Sequence, residues 1–290
     1  MSRSVTHRPG TWIDPTSGMQ IGHAELLARM AGERVVLLGE THNRFDIHRW
    51  QLHVAAGLLA LRGNIALGFE MFPVRVQPAL DAFVAGQLDV EAFLQQSDWE
   101  TVWRFDPALY LPLFSFCREF GVPMLALNCR RALVTEVGKG GWDSVAVADR
   151  DGLTPALPAT PAHRQYLFDL TGGGRVTQSA GPQDPGFDRF VRAQQTWDRA
   201  FACNIAKALE VDNPPLVIGI IGRGHLEYGH GTPAQLQDLG IDRVSVLLPG
   251  DSEDFDLEGK AGLAQAVFRL SPLEGDIAPV PERRAVAQAN

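Results

Sequence analysis

The sequence predicts an α/β fold in which a mainly parallel sheet is flanked by helices. Short runs rich in Val, Ile and Leu recur along the chain, and each run stops at a glycine or a polar residue. Such runs are typical of strands buried on both faces of a parallel sheet. The segments between them have helical apolar spacing, which favours strand–helix–strand units with right-handed crossovers. With 290 residues, the chain is long enough to bury a sizeable core.

The first half of the chain alternates between strands and helices. The predicted strands lie at 35–38, 65–69 and 122–127, and the predicted helices at 45–62, 74–84, 89–96 and 107–120. Gly63 ends the first of these helices, and Pro73 suits the first turn of the second. Pro112 predicts a kink in the last one, because an internal proline removes a backbone hydrogen bond.

The second half continues the alternation after an irregular segment. Strands are predicted at 216–221 and 244–248, the latter as the last strand of the sheet, and helices at 187–210 and 232–240. Thr232 is expected to cap the final helix, with Pro233 at its first position. The segment 138–186 is rich in Gly, Pro and Ala, with helical spacing only at 163–170. We interpret it as an insertion or lid over the sheet edge.

These elements predict a single α/β domain over 1–290. Its core covers about 33–250, and an extension at 251–290 is first acidic and then rich in proline. The extension is expected to fray after Leu273, as terminal segments without apolar periodicity commonly do.

The composition argues against several classes of protein. The net charge is −8, whereas a nucleic-acid surface requires a basic face; a local basic pocket for carboxylates is still compatible with this charge. The three cysteines form no motif of a disulfide framework, and Cys117 and Cys203 are expected to be buried thiols.

Targeting signals are also missing from the printed sequence. No apolar run of about 18 residues predicts a membrane span. Residues 1–20 contain neither a signal-peptide pattern nor a lipid-attachment cysteine. The expected location is therefore the cytoplasm, or the periplasm or a membrane anchor if an export signal has been removed.

Two predicted strands run directly into the same short motif. Gly39-Glu40-Thr41-His42 follows the first strand, and Gly222-Arg223-Gly224-His225 follows the fourth. A bare G-x-x-H pattern is common, so its weight comes from its position after a strand. Ligands bind at the carboxyl ends of parallel strands, so both imidazoles are expected at the ligand-binding edge.

Further polar residues end the neighbouring strands. Glu70 ends an otherwise apolar strand, and Asn128 follows the third strand. Carboxylates are seldom buried without a partner, so Glu70 is either solvated at the edge or part of a site. His42, Glu70 and His225 suit a divalent metal such as Zn, Mn or Fe.

The same residues equally suit acid–base chemistry without a metal, in which an imidazole activates water. The candidate catalytic residues are Glu40, His42, Glu70, Arg223 and His225. Asp198, on the long helix, either orients a histidine from behind or belongs to a solvated face of that helix. His48 and His53 are interpreted as structural, because their spacing places them on no shared helical face.

The loop after the second motif contains a third kind of ligand. Tyr228 lies between His225 and His230 in a glycine-rich turn. A phenolate is an axial ligand of ferric haem in some proteins, although a loop tyrosine more commonly packs with its hydroxyl in water.

Taken together, these motifs resemble the ChaN-like haem-binding uptake proteins, which belong to a wider group with erythromycin-esterase-like hydrolases and the TraB and Tiki proteins. The resemblance covers about 33–250. It rests on the two G-x-x-H motifs and on four further segments, Gly68-Phe69-Glu70-Met71-Phe72, Leu127-Asn128, Gln195-Thr196-Trp197-Asp198 and Tyr228-Gly229-x-Gly231-x-Pro233.

The resemblance implies an α/β fold with both motifs and a glutamate around one cleft. It also implies bacterial iron or haem handling, a tyrosine as haem ligand and a dimer that encloses stacked haems. The cofactor-binding candidates are then Tyr228, His225, His230 and Asn128. Related hydrolases use the same histidines and glutamates, with or without a metal.

Three hypotheses follow. The first is a haem- or iron-binding protein of the ChaN-like type, with haem or a small molecule as ligand and a homodimer as assembly. The second is a hydrolase of an ester or amide, with His42 or His225 as base and Arg223 stabilising an oxyanion. The third is a binding module whose cleft is vestigial.

Overall fold

The computed structural model describes residues 4–250 and 254–271. In these ranges the strands are β1 (Ser4–Thr6), β2 (Trp12–Ile13), β3 (Gln20–Ile21), β4 (Val35–Glu40), β5 (Ile65–Pro73), β6 (Met124–Asn128), β7 (Leu216–Gly222), β8 (Val244–Gly250), β9 (Asp254–Asp256) and β10 (Ala266–Arg269). The α-helices are α1 (His23–Ala31), α2 (Phe45–Arg62), α3 (Gln77–Val84), α4 (Val90–Gln96), α5 (Trp99–Val102), α6 (Leu111–Phe120), α7 (Arg131–Gly140), α8 (Pro161–Leu170), α9 (Asp188–Ala208) and α10 (Thr232–Asp238).

An eight-stranded sheet has the order β3-β2-β10-β8-β4-β7-β5-β6, and β1 pairs separately with β9. All pairs from β10 through β6 are parallel, and β2 and β3 add antiparallel pairs at one edge. The predicted α/β fold with a mainly parallel sheet is therefore confirmed. The prediction that 244–248 is the last strand of the sheet is wrong, since β10 pairs with β8. Four residues are too few for the periodicity of β10 to be recognised.

The helices cover both faces of the sheet. The largest apolar cluster lies on the face covered by α1 to α6, and the second largest packs under α9 and α10. Helices α1, α5 and α7 were not predicted. No predicted strand precedes α1, α5 has only four residues, and two arginines lie at the start of α7. Across the described residues, the helices lack the combined length and apolarity that a membrane crossing requires.

Local details correct several expectations. Pro112 lies in the first turn of α6 after a separate 3-10 turn at Pro107–Leu109, so it starts a helix instead of kinking one. Thr232 does not cap α10, since the N-cap is Gly231 and the hydroxyl of Thr232 bonds elsewhere. Cys117 is buried as expected, whereas Cys203 is only half-buried. The predicted fraying after Leu273 lies outside the described residues.

Candidate functional site

The carboxyl ends of three adjacent strands bring the two G-x-x-H motifs together. Glu40, the last residue of β4, is in register with Gly222, the last residue of β7. Glu70 lies in β5 on the other side of β7. The parallel register therefore places both histidines and both glutamates at one edge, as the sequence predicted.

The first motif forms a carboxylate–imidazole dyad. Nδ1 of His42 lies 2.6 Å from Oε1 of Glu40, whose residue is only 1% exposed. Tyr110 donates a 2.8 Å hydrogen bond to the same oxygen, and Nδ1 of His48 lies 3.4 Å from Oε2. Burial opposes ionisation of Glu40, but His48, His42 and Tyr110 together hold its pKa below its usual value. Glu40 is thus an anion that orients the His42 ring.

The second motif forms a matching dyad with a helix. Nδ1 of His225 lies 2.8 Å from Oδ1 of Asp198, a buried residue of α9, so Asp198 orients this histidine and is not part of a solvated helix face. Thr232 donates a 3.0 Å hydrogen bond to the same oxygen. Burial lowers the pKa of His225, but the charges of Asp198 and Glu70 outweigh it and raise the pKa above its usual value.

Glu70 lies between the two dyads in a different electrostatic state. Its Oε1 is 3.8 Å from Nε2 of His42, and its Oε2 accepts a short hydrogen bond from the backbone N–H of Gly222. Burial raises the pKa of Glu70, although His42 and His225 oppose the shift. The site therefore pairs one carboxylate held ionised, Glu40, with one shifted toward its neutral acid. Such a pair is suited to proton transfer.

Gly222 makes this close packing sterically feasible. A Cβ at this position would lie 3.0 Å from Cε1 of His42 and 3.3 Å from Oε2 of Glu70. Both distances are tighter than ordinary contacts, so a side chain here would push the histidine and the carboxylate apart.

A cavity of about 510 Å³ opens above these residues and includes His42, Glu70 and His225 in its lining. Its lining includes four aromatic side chains, those of Trp103, Phe105, Trp197 and Phe201. The ring of Trp103 packs edge-on against His42 at 4.7 Å, and that of Phe201 against His225 at 5.4 Å.

The remaining candidates divide between this cavity and the outer surface. Asn128 lines the cavity, but its amide donates to the carbonyl of Glu70 at 2.7 Å and accepts from the next backbone N–H. Asn128 therefore positions the backbone of β5. Arg223, Tyr228 and His230 are not part of the lining, and the guanidinium of Arg223 instead forms a close ion pair with Glu227.

Tyr228 and His230 form a separate aromatic group with Tyr166. The ring of Tyr228 lies 5.9 Å from that of His230 and 5.8 Å from that of Tyr166, and its hydroxyl donates to the carbonyl of Gly259. Burial and the charge of Glu227 raise the pKa of Tyr228, which disfavours a phenolate. The predicted tyrosine ligand thus lies outside the lining of the cavity.

Two residues behind the first dyad were not predicted as part of the site. His48 was interpreted as structural and is buried, but it also contacts Glu40 and lies 3.1 Å from the carbonyl of His42. Tyr110 gave no sequence signal, because its partner Glu40 is 70 positions away. His53 is exposed and stacks on His23 at 5.1 Å, away from the cavity.

A divalent metal centre is not supported. In the described part of the chain, no group of three or more His, Cys, Asp or Glu side chains is arranged to hold a metal ion. His42, Glu70 and His225 meet at the cavity, but Nδ1 of each histidine is engaged by a carboxylate.

Comparison with known proteins gives one family and a small set of relatives. A family model described as haem-binding uptake, Tiki superfamily, ChaN matches residues 26–236. The structure of ChaN of Campylobacter jejuni, with cofacial haem binding, has a TM-score of 0.67 at 20% identity and covers 89% of this chain and 95% of that one. The erythromycin esterase EreC, in its open conformation, has a TM-score of 0.48 at 10% identity, over 82% of this chain and 76% of that one.

A curated relative comes from a plant. The chloroplastic protein RETICULATA-RELATED 5 of Arabidopsis thaliana is 22% identical over 260 residues, or 83% of this chain. The chain spans about a third of the length of that relative, since the match covers 34% of it.

Proposed function

We propose that this chain, which belongs to the haem-binding uptake family ChaN of the Tiki superfamily, binds haem and takes part in iron or haem handling. The observation that carries the proposal is the His225–Asp198 dyad at an aromatic-walled cavity. A metal-ligating histidine usually donates its second ring N–H to a carboxylate, which fixes the tautomer and raises the basicity of the ligating nitrogen.

The cavity fits the group in size and character. Its volume of about 510 Å³ lies within the usual range of small-molecule sites, about 300–1,000 Å³. The indole and phenyl walls suit a flat apolar macrocycle and exclude water from it. When bound, haem supplies an iron whose behaviour depends on its axial ligand and on the polarity around it.

Each residue has a distinct role in this proposal. Asp198 would hold the Nδ1 proton of His225, which would leave Nε2 free to bind the iron. Glu40 orients the ring of His42 in the same way. Tyr228 is the competing ligand, but it lies outside the cavity lining and its phenol would have to ionise against a raised pKa. His225 lines the cavity, and it would also have to lose its Nε2 proton against a raised pKa.

A hemin titration followed by the Soret band tests the proposal. We would compare the wild type with His225→Ala, Tyr228→Phe and His230→Ala, and with His53→Ala as a control at an exposed histidine. A saturating titration with a changed spectrum only in His225→Ala is expected. A changed spectrum only in Tyr228→Phe would instead identify Tyr228 as the residue that binds the iron. A non-saturating titration identical in all variants would overturn haem binding.

A homodimer is part of the proposal, because the Campylobacter jejuni relative is described with cofacial haem. Light scattering coupled to size exclusion, with and without hemin, measures the assembly. A monomer under both conditions would contradict this part of the proposal.

Hydrolysis of an ester or amide is the second candidate, favoured by the raised pKa of Glu70 between the two dyads. Nε2 of His42 would take a proton from water, the resulting hydroxide would attack the carbonyl carbon, and Glu70 would protonate the leaving group. The ion pair of Arg223 with Glu227 leaves it without the predicted oxyanion role. Turnover of an ester panel that is lost in His42→Ala but kept in His53→Ala would support this candidate, and its absence in the folded wild type would exclude it for that panel.

A further inference from the structure

The outer part of the cavity is cationic. Arg75, Arg130 and Arg131 all contribute to its lining, and we call these three residues the arginine rim. The side chains of Arg75 and Arg130 are 49% and 42% exposed, whereas Glu70 and His225 are largely buried. The lining therefore combines exposed basic side chains with largely buried polar side chains of the site.

Two of the three guanidiniums already have carboxylate partners. Arg75 lies 2.6 Å from Asp98, and Arg130 lies 2.6 Å from Asp151. These pairs fix the two side chains at the cavity edge and neutralise part of their charge. Among the described residues, by contrast, no carboxylate lies within ion-pair distance of Arg131, so its charge is available to a ligand.

The N-terminus of helix α7 lies at the same rim. Arg131 is the first residue of this ten-residue helix, and its N-cap, Arg130, makes no side-chain cap hydrogen bond. Helix N-termini carry partial positive charge and favour anions. The carboxylate of Asp151 already occupies part of this end, since its Oδ2 accepts a 2.7 Å hydrogen bond from the backbone N–H of Arg130.

Part of the lining is apolar. Trp103, Phe105 and Trp197 line the cavity together with the arginine rim and offer flat surfaces beside the histidines of the dyads. A ligand that satisfies the whole cavity must therefore combine an acidic group, for the rim, with an aromatic or other apolar body.

We propose that the cavity selects small molecules with a flat apolar body and a carboxylate or equivalent acidic group, and that Arg131 binds this group. The inference deepens the proposed function, since it rests on this cavity being the ligand site. The inference also predicts the orientation of the bound ligand, with its acidic group at the arginine rim and its apolar body facing His42 and His225. A cationic ligand is disfavoured, because it would meet the three guanidiniums first.

Two fluorescent probes of nearly the same shape test the acidic selectivity without haem. 1-Anilinonaphthalene-8-sulfonate carries an acidic group, whereas N-phenyl-1-naphthylamine lacks it. We expect Arg131→Gln to weaken binding of the sulfonate at least threefold and to leave the neutral amine unchanged. Arg49→Gln, at an exposed arginine of α2 outside the lining, is the matched control and should change neither. Equal effects on both probes, or no effect of Arg131→Gln, would overturn the inference.

Hemin and its dimethyl ester separate this inference from haem binding itself. If hemin saturates and Arg131→Gln weakens hemin but not the ester, both proposals are supported. If hemin and its ester bind equally well to the wild type and to Arg131→Gln, haem binding is supported and the role of Arg131 is contradicted. If the hemin titration does not saturate but binding of the sulfonate probe still depends on Arg131, the haem proposal is contradicted and the selectivity for acidic ligands is supported.

Discussion

The hydroxyl of Tyr110 donates to Oε1 of Glu40 at 2.8 Å, the same oxygen that lies 2.6 Å from Nδ1 of His42. Both Tyr110 and Glu40 are essentially inaccessible to solvent. Burial and the neighbouring Glu40 charge raise the pKa of Tyr110 far above its usual value, so the phenol remains a donor at all ordinary pH values. A buried tyrosine thus stabilises the anion that orients His42.

Tyr110→Phe should therefore destabilise the fold. The substitution keeps the aromatic packing but removes one donor from a buried carboxylate, and hydrogen bonds to charged groups contribute about 1.5–3 kcal/mol. We expect a loss of this size in the free energy of unfolding, measured as a lower urea midpoint with an unchanged denaturant slope.

Tyr166→Phe is the matched control for that loss. Tyr166 also donates to a carboxylate, that of Glu227 at 3.1 Å, but from a partly buried position. Its removal should cost clearly less, because water replaces the lost donor. Equal losses in the two variants would contradict the role given to Tyr110.

Asp198→Asn should lower the pKa of His225. The carboxylate both bonds to Nδ1 and attracts the imidazolium charge, and an amide of the same shape removes the charge. Histidine NMR titration measures the shift directly. If His225 ligates haem iron, the same variant should weaken hemin binding at least about tenfold.

Asp188→Asn tests whether any aspartate of α9 has this effect. Asp188 lies on the same helix, but its ion pairs are with Arg164 and Arg192. The pKa of His225 should not change in this variant. An equal fall in both variants would indicate a general loss of negative charge instead of a specific dyad.

The sheet edge was predictable because it depends on local patterns. A parallel strand that ends in Gly39-Glu40-Thr41-His42 must present those side chains near the end of its neighbour, and the register of Glu40 with Gly222 follows from that geometry. For Asp198 the sequence left two alternatives, a histidine partner or a solvated helix face, and its contact with His225 decides for the first.

The interactions that were missed depend on packing between distant segments. The contact of Tyr110 with Glu40 requires the start of α6 to lie under β4, and no periodicity specifies that placement. Thr232 looked like a helix cap but bonds to Asp198 across the site. The backbone turns at Tyr228, whose φ of 58° is left-handed, and Tyr228 lies outside the cavity lining. The sequence around Tyr228 did not predict this placement.

Glu70→Gln should stabilise the protein at neutral pH. The pKa of Glu70 is raised in the folded protein, so the folded state binds this proton more tightly than the unfolded state. Its contribution to stability therefore decreases as pH rises from its ordinary pKa of 4.5 to its folded pKa. Glutamine retains an oxygen for the Gly222 N–H and removes the buried charge. The free energy of unfolding in urea should therefore be higher for Glu70→Gln than for the wild type. This difference should increase between pH 4.5 and the folded pKa of Glu70 and stay constant above it.

Glu40→Gln should behave with the opposite sign. The pKa of Glu40 is lowered on folding, so its ionised form stabilises the protein above its ordinary pKa, and this stability is lost as pH falls through the folded pKa. The variant should be less stable than the wild type at neutral pH, with a deficit that shrinks in acid. A difference independent of pH in either variant would contradict the assigned ionisation states.

Gly222→Ala should disrupt the site more than the fold. The backbone angles of Gly222 (φ −53°, ψ 131°) are accessible to alanine, so the cost comes from the new methyl group against His42 and Glu70. Such crowding typically costs about 1–3 kcal/mol, and it should also shift the NMR resonance of the His42 Cε1 proton. Gly224→Ala is the control, because its methyl would meet only the flexible end of Leu170, a side chain that is 56% exposed. If both variants left the His42 resonance unchanged, the close packing of His42, Glu70 and Gly222 would be wrong.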